Sequence, residues 1–287
     1  MKRITIMISI LCFFITFLLI DVYCQSTNTN PLIVFCNVGQ GDASLISFSN
    51  FQILIDAGKD RKVLDCLNKY MPFWDKQIEI FIGSHNDNDH IGGIEYILPK
   101  YRISYFYLND VLGDELQSKT EKYAIILRKL SKGDEIKVSS YVTLRVIHPI
   151  LSETLLSDNL PKLTELKKDK NNGSIVLLLD VQDVRFLYTG DIDSSVEQAL
   201  IAKGLTEDID ILKVAHHGSK KGTSSYFLRS FDPEIAVVSS GKGNAYNHPN
   251  DELIDRLEAY QVKTFRTDIY GDIAVKITGL NNYQLSY

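Results

Sequence analysis

Short apolar runs alternate with turn-forming residues along most of this chain, and their length and β-branched content predict strands. The predicted strands are Leu32–Asn37, Ala43–Ser47, Phe51–Asp56, Gln77–Gly83, Thr143–Ile147, Ser174–Asp180, Val184–Tyr188, Asp210–Ala215 and Glu234–Ser239. Between them, apolar residues at helical spacing predict amphipathic helices. The predicted helices are Lys62–Tyr70, Ile91–Leu98, Glu197–Lys203 and Asp251–Tyr260. Because strands and helices mix throughout and no linker divides them, we expect one α/β domain of two packed sheets with helices outside.

Side chains that can bind a metal ion follow three of these predicted strands, at the point where each strand ends. His85, Asp87, Asp89 and His90 follow the strand Gln77–Gly83. Asp191 follows Val184–Tyr188, and His216 and His217 follow Asp210–Ala215. Strands that lead into short loops hold ligands at fixed distances, as a metal site requires. A solvated polar loop would also explain the first group taken alone, but three such groups in one chain favour a metal site.

The residue types limit which metals such a site would select. Neighbouring carboxylates repel one another unless a cation or hydrogen bonds compensate their charge. A mixed set of imidazole and carboxylate ligands suits Zn²⁺, Mn²⁺ or Fe. The four cysteines of the chain include no Cys-x-x-Cys pair, so the sequence does not indicate a thiolate site.

The residues around these groups form motifs that recur in a fixed order. They are His85–Gly93, with the pattern His-x-Asp-x-Asp-His-x-Gly-Gly, and Asn37–Ala43, Leu54–Gly58, Asn171–Ser174, Leu187–Asp191, Leu212–Ser219, Gly241–Lys242, Asn247–Pro249 and Arg266–Asp268 with Gly271. Together they resemble the metallo-β-lactamase superfamily and, more narrowly, the hydrolase domain of the ComEC-type competence proteins. One departure is Asn37, where the family usually has aspartate. The resemblance implies an αββα sandwich, in which two mixed β-sheets are flanked by helices.

The resemblance also implies a site for two divalent metal ions, Zn²⁺ or Mn²⁺, with Fe as a further possibility. Carried over residue by residue, it assigns His85 and Asp87 to the first ion. It assigns Asp89 and His90 to the second ion, and Asp191 would bridge the two.

Other positions of the resemblance leave alternatives open. Either His216 or His217 would complete the second ion site, and the motif does not settle which one. His148 stands about where the superfamily has a further ligand, but it is also readily explained as a histidine at the end of a strand. His248 would contact the substrate or stabilise developing charge, and Asp89 would also orient the attacking water.

Two other aspartates of the motifs, Asp42 and Asp56, lie beside turn-forming glycines. We expect them to hydrogen-bond loops near the site rather than to contact metal. Asn171 and Ser174 are expected to order the loop that leads into the strand before Asp191.

The implied function is hydrolysis, because two metal ions a few ångströms apart can activate water for attack on an ester. The ComEC resemblance favours a phosphodiester substrate, either nucleic acid or a nucleotide-like molecule. A carboxyl-ester, lactone or thioester hydrolase on the same site is one alternative, and a non-catalytic binding module is another. The formal net charge of −5 excludes a general basic field for polyanions, although metal ions would add local positive charge. No stable protein partner is indicated.

Residues 1–24 form a different kind of sequence. Lys2 and Arg3 precede an apolar run over Ile4–Ile20, which is the pattern of a secretory signal. We predict cleavage before Gln25, which leaves residues 25–287 as the hydrolase domain. The run is also long enough for an uncleaved membrane anchor, and only that form would contact a membrane. Either interpretation predicts a secreted or extracytoplasmic protein.

Two of the cysteines, Cys36 and Cys66, belong to the predicted mature domain. They could form a disulfide in an oxidising compartment. They could equally be buried free thiols, one on a strand and one on a helix, and the sequence leaves both alternatives open.

Overall fold

The computed structural model describes residues 6–17, 30–149 and 170–287. Residues 6–17 are helical, and their side chains are exposed. Within the described ranges, no helix has both the length and the apolar character needed to cross a membrane. The cleavage point before Gln25 lies outside the described residues, so signal sequence and anchor both stay predictions.

The first sheet is mixed and holds strands from both ends of the domain. Its strands are β1 (Leu32–Phe35), β2 (Ser44–Phe48), β3 (Phe51–Ile55), β4 (Gln77–Ile82), β5 (Arg102–Tyr107), β6 (Ile126–Arg128), β14 (Ile273–Gly279) and β15 (Asn282–Ser286). They are ordered β15-β14-β1-β2-β3-β4-β5-β6. Strands β3 to β6 run parallel, whereas β15, β14, β1, β2 and β3 pair antiparallel.

The second sheet is also mixed. Its strands are β7 (Glu135–Ser139), β8 (Val142–His148), β9 (Val176–Val181), β10 (Val184–Tyr188), β11 (Ile211–Lys213), β12 (Ile235–Val238) and β13 (Lys263–Arg266). Their order is β13-β12-β11-β10-β9-β8-β7. Strands β10 to β13 run parallel, so their carboxyl ends meet at one edge of the sheet.

Helices cover the outer faces of both sheets. They are α1 (Val63–Tyr70), α2 (Asn88–Ile91), α3 (Ile94–Ile97), α4 (Asp114–Lys122), α5 (Ser194–Ala202), α6 (Ser225–Phe231), α7 (Asp251–Ala259) and α8 (Thr267–Tyr270). One apolar layer lies between the sheets and includes Phe35 and Phe186. A second layer joins the first sheet to α1 and α3, and a third joins the second sheet to α5, α6 and α7. These three layers confirm the predicted αββα sandwich.

The predicted helix Ile91–Leu98 is instead two short helices, α2 and α3, separated by Gly92 and Gly93. The reason is a close backbone contact. A Cβ atom on Gly93 would lie 2.0 Å from the carbonyl oxygen of Ala57, and one on Gly92 would lie 2.6 Å from that of Lys59. Only glycine allows this approach, which presses the turn between α2 and α3 against the loop that follows β3.

The structure pairs Cys36 and Cys66 in a disulfide, with a Cα–Cα distance of 5.8 Å. Cys36 follows β1 and Cys66 lies on α1, so the bond ties the first sheet to the helix layer outside it. Of the two alternatives that the sequence leaves open, the geometry supports the disulfide.

Replacing both Cys36 and Cys66 by alanine is expected to lower the free energy of unfolding by about 3 kcal/mol, because a cross-link over a loop of this size restricts the unfolded chain. The sequence separation of the two cysteines is 30. Denaturant unfolding of the variant and of the oxidised wild-type protein would measure the difference. Reduced wild-type protein should behave like the variant, and equal unfolding midpoints for oxidised protein and variant would contradict the prediction.

Candidate metal centre

The predicted ligands come from both sheets and meet where the sheets' strand ends face each other. The loop after β4 carries one group, which is His85, Asp87, Asp89 and His90. Asp191 follows β10, and the His216–His217 pair follows β11. The two halves are joined directly, because Ile175 N donates to Ser84 O at 2.8 Å.

His85, His90 and His217 are buried and oriented in the same way. In each ring, Nδ1 contacts a neighbouring side chain: Ser84 Oγ lies 3.0 Å from that of His85, and Asp56 Oδ2 lies 2.9 Å from that of His90. In each ring, Nε2 is buried and has no hydrogen-bond partner among the described residues. Fixing one ring nitrogen by an outer partner while the other faces a common point is the usual arrangement of histidines that bind metal.

The free nitrogens face carboxylate oxygens. His90 Nε2 lies 3.3 Å from Asp191 Oδ2, and His217 Nε2 lies 3.6 Å from the same oxygen. His217 Nε2 is also 3.3 Å from Asp89 Oδ2, while the other Asp191 oxygen, Oδ1, is buried without a hydrogen bond in the described part of the chain. Buried polar atoms without partners are costly, so their convergence fits a cation that binds all of them.

The two ligands predicted for the first ion, His85 and Asp87, are also an imidazole nitrogen facing a carboxylate oxygen. His85 Nε2 lies 3.6 Å from Asp87 Oδ2, and the Asp87 side chain is 38% exposed. Ser174 Oγ lies 3.3 Å from His85 Nδ1 and accepts a hydrogen bond from Asp191 N at 3.1 Å. Ser174 therefore holds His85 and Asp191 in a fixed relation, consistent with the loop-ordering role expected from the sequence.

The charges of the cluster are strongly coupled. Burial alone would lower the pKa of His217, but the carboxylates of Asp191 and Asp42 outweigh it and raise that pKa to about 9. Burial likewise opposes the change at His90, whose pKa is raised well above its ordinary value by Asp191 and Asp56. The cluster thus attracts positive charge, which either protons on the histidines or a metal cation can supply.

The two neighbouring histidines that the motif could not separate occupy different places. His217 is 2% exposed, and its Nε2 lies inside the cluster. His216 has a side chain 30% exposed, with Nε2 3.8 Å from Asp191 Oδ2. Both have left-handed backbone conformations, with φ of 50° and 54°. This turn directs the His217 ring into the cluster and the His216 ring to its solvent-exposed edge, which we call the mouth of the cluster. The geometry favours His217 as the ligand.

His148 lies at the end of β8, outside the cluster. Its Nε2 is 2.9 Å from the carbonyl oxygen of Asn172 and so would donate a hydrogen bond there. Burial lowers the pKa of His148 to about 4, so the ring is neutral. Because Nε2 is already engaged, the contacts fit the strand-end alternative rather than the ligand alternative.

Asp42 has a larger role than the sequence indicated. One carboxylate oxygen of each of Asp42 and Asp191 and one ring nitrogen of each of His90 and His217 all lie within 4.8 Å of one another. Yet Asp42 faces Nδ1 of His217, at 3.2 Å, and not the free Nε2. It therefore lies behind the histidine ligands rather than among them, and Asp56 lies in the same way behind His90.

His248 borders a cavity of about 610 Å³, and among the cavity's lining residues it is the one whose ring contacts another histidine of the candidate site. The His248 ring lies 5.7 Å from the His216 ring and 5.8 Å from the Tyr246 ring, which stacks on it. Burial and the neighbouring histidines lower the pKa of His248 to about 4, and its Nδ1 is buried without a hydrogen bond within the described ranges. The other cavity walls are mostly polar and include Lys220, Asn244, Asn247, Arg266 and Asp268.

Comparison with known proteins agrees with this geometry. A sequence profile of the metallo-β-lactamase superfamily matches residues 36–242. ComE operon protein 3 of Bacillus subtilis is 25% identical over 286 residues, covering 92% of this chain and 35% of that protein. Recombination protein 2 of Haemophilus influenzae is 29% identical over 243 residues, covering 83% of this chain and 28% of that protein. The chain thus spans about a third of the length of these relatives.

The comparison with solved structures agrees with the profile match at the level of the fold. The solved structure of the metallo-β-lactamase fold protein YhfI from Bacillus subtilis matches with a TM-score of 0.55 and 14% identity, covering 86% of this chain and 99% of that one. At this identity the likeness concerns the fold. The profile match therefore shows that the chain belongs to the metallo-β-lactamase superfamily, in agreement with its fold and its buried His/Asp cluster, and that its relatives include the ComEC-type competence proteins.

Proposed function

We propose that the protein is a phosphodiesterase that acts on nucleic acid or nucleotide-like phosphodiesters. The observation that carries the proposal is the convergence of the Nε2 atoms of His85, His90 and His217, which have no hydrogen-bond partner in the described part of the chain, on the carboxylates of the cluster. Two divalent ions, Zn²⁺ or Mn²⁺, when bound there, would supply Lewis-acid polarisation of the phosphoryl group and lower the pKa of a water molecule.

The side chains of this chain have separate roles in the proposal. Asp191 Oδ2 lies 3.3 Å from His90 Nε2, and Ser174 links the Asp191 backbone to the His85 ring. Its carboxylate would serve both ions. Asp89 is 32% exposed and lies 3.3 Å from His217 Nε2, so it reaches both the buried ligands and the solvent. This position suits a carboxylate that orients the attacking water and accepts its proton.

His248 would contact the substrate. Its lowered pKa keeps the imidazole neutral near pH 7, so one ring nitrogen can donate to a phosphoryl or leaving-group oxygen. Its stacking partner Tyr246 is 66% exposed, and an exposed aromatic ring at a mouth can stack on a base.

The chemistry of the cavity supports a polar substrate. Its amide, ammonium, guanidinium and carboxylate groups can hydrogen-bond sugar hydroxyls and base edges, whereas an acyl chain needs an apolar wall. One matched relative is named a recombination protein, a name that concerns nucleic acid. Both observations favour the phosphodiester over the carboxyl-ester, lactone and thioester alternatives.

The proposal includes an extracytoplasmic location, secreted or anchored by the N-terminal segment. The Cys36–Cys66 disulfide supports this, because disulfides persist in oxidising compartments and are rare in the cytosol. We propose no stable protein partner.

The direct test is hydrolysis of bis-p-nitrophenyl phosphate by purified residues 25–287 in Mn²⁺ or Zn²⁺. We expect turnover that a chelator removes and added metal restores. A panel of carboxyl esters, lactones and thioesters serves as the comparison. Turnover of that panel with none of the phosphodiester would overturn the substrate class, and bound metal without any turnover would favour a binding module.

Replacing His248 by alanine is expected to lower kcat for phosphodiesters about 10²-fold, the effect typical of losing one hydrogen-bond donor to the reacting group. Bound metal should not change, because His248 lies beside the ligand set rather than in it. His148→Gln is the matched control: glutamine can still donate to the Asn172 carbonyl, so rate and metal content should both be retained. A loss of bound metal in His148→Gln would restore the ligand alternative for that residue.

A further inference from the structure

Lys213 and Asp42 form a buried ion pair directly behind the metal ligands. Lys213 Nζ lies 2.5 Å from Asp42 Oδ2, and the two side chains are 3% and 6% exposed. The same ammonium group donates to the carbonyl oxygen of Val214 at 2.9 Å. The proposed chemistry does not use Lys213.

Stability alone does not account for this pair. Moving two charged groups out of water costs much of the free energy that their attraction contributes. A protein with well-packed apolar residues in their place is often as stable or more stable. A buried pair therefore calls for another role, and the neighbours of Asp42 indicate what that role is.

The pair joins the two halves of the centre. Asp42 lies in the loop between β1 and β2 of the first sheet, and Lys213 ends β11 of the second. Asp42 N donates to the carbonyl oxygen of Asp89 at 3.1 Å, so its backbone holds the loop of one half. Its Oδ1 lies 3.2 Å from Nδ1 of His217, so its side chain holds a ligand of the other half.

We propose that the Lys213–Asp42 pair positions His217 for metal binding and sets the distance between the two halves of the centre. Lys213 holds one carboxylate oxygen, which leaves the other facing His217. His217 Nδ1 also lies 3.1 Å from the carbonyl oxygen of Ser239, and two acceptors there require the proton on Nδ1. The lone pair is then on Nε2, which faces the cluster.

This inference rests on the metal centre of the proposed function but not on the substrate. The test is the affinity of the purified protein for Mn²⁺ and for Zn²⁺, measured by chelator competition on the double variant Lys213→Met with Asp42→Asn. The double variant removes both charges while keeping side-chain size and an acceptor oxygen at position 42. We expect metal affinity at least about tenfold weaker than wild type, the effect usual for an outer partner of a ligand, with an unchanged circular dichroism spectrum.

The matched control is a second ion pair of the same sheet. Arg145 on β8 makes two bonds to Glu207, of 3.0 and 2.6 Å, and the side chains are 45% and 30% exposed. Arg145→Met with Glu207→Gln should leave metal affinity unchanged. Wild-type affinity in the Lys213/Asp42 double variant, or an equal loss in the control, would overturn the proposal.

Asp42→Asn alone covers the case in which the double variant does not fold. It keeps the shape of the side chain but leaves the Lys213 ammonium unpaired behind the ligands. We expect a loss of metal affinity of about 100-fold, at the upper end for outer partners, and wild-type affinity would again overturn the proposal. If the wild-type protein binds metal but cleaves no phosphodiester, the proposed function fails while these affinities still decide the role of the pair.

Discussion

Replacing Asp191 by asparagine is expected to abolish hydrolysis, with kcat/KM at least about 10³-fold lower, since a metal-holding carboxylate supports several kcal/mol of transition-state stabilisation. Asp191 Oδ2 lies within 4 Å of the Nε2 atoms of His90, His216 and His217. Asparagine has nearly the same shape, but it carries no charge and offers only one ligand oxygen. Steady-state kinetics on bis-p-nitrophenyl phosphate, with the metal content of each preparation, would measure the effect.

Asp193→Asn is the control for this prediction. Asp193 lies two residues further on and caps α5, where its Oδ1 accepts from Ser195 N at 2.8 Å. The same substitution there keeps a good capping residue, because asparagine and aspartate cap helices about equally well, and should leave the stability, the metal content and the rate close to wild type. Full metal content together with more than about a tenth of wild-type activity in Asp191→Asn would contradict the assignment of Asp191 as a metal-holding carboxylate.

Most of the strands that the sequence predicts are buried, although it missed β14, in which Ile273, Ala274, Val275 and Ile277 are buried. Strands such as β4 and β10 consist mostly of buried apolar residues, so their period and their turn-forming ends indicate both the strand and the loop that follows. Strands β6 and β7 at the sheet edges have no fully buried residue. The sequence analysis missed both: β6 has only three residues, all exposed, and the alternating apolar side chains of β7, Ile136 and Val138, are only partly buried.

The sequence likewise predicts some residues of the candidate site and not others. The motif after β4 predicts its candidate ligands because short loops at strand ends keep neighbours in sequence close in space. The sequence did not indicate the buried pair of Lys213 with Asp42, since a lysine at the end of a strand usually extends into solvent and Asp42 lies in a loop of the other sheet. The sequence also left undecided whether Cys36 and Cys66 form a disulfide, because the bond depends on a Cα–Cα distance that no local pattern encodes.

The local sequence cannot determine which of His216 and His217 faces the cluster. The residues are adjacent and chemically identical, and both have positive φ. Such a conformation is costly for residues other than glycine and persists only where the surroundings enforce it. Here the surroundings include Asp42 Oδ1 and the Ser239 carbonyl oxygen, which together hold His217 Nδ1, so tertiary contacts and not the motif turn this ring inward.

His217→Ala is therefore expected to weaken metal binding by more than about 100-fold, beyond the loss seen for outer partners of a ligand. His216→Ala should retain metal and lose turnover only in part, because its ring lies at the mouth beside His248. Chelator competition with Mn²⁺ or Zn²⁺, together with kcat for each variant, would separate the two. The reverse pattern, with metal lost in His216→Ala and kept in His217→Ala, would mean that the ring at the mouth rotates onto the metal when it binds. The contacts of His217 with Asp42 and Ser239 would then stabilise the loop after β11 and would not position a metal ligand.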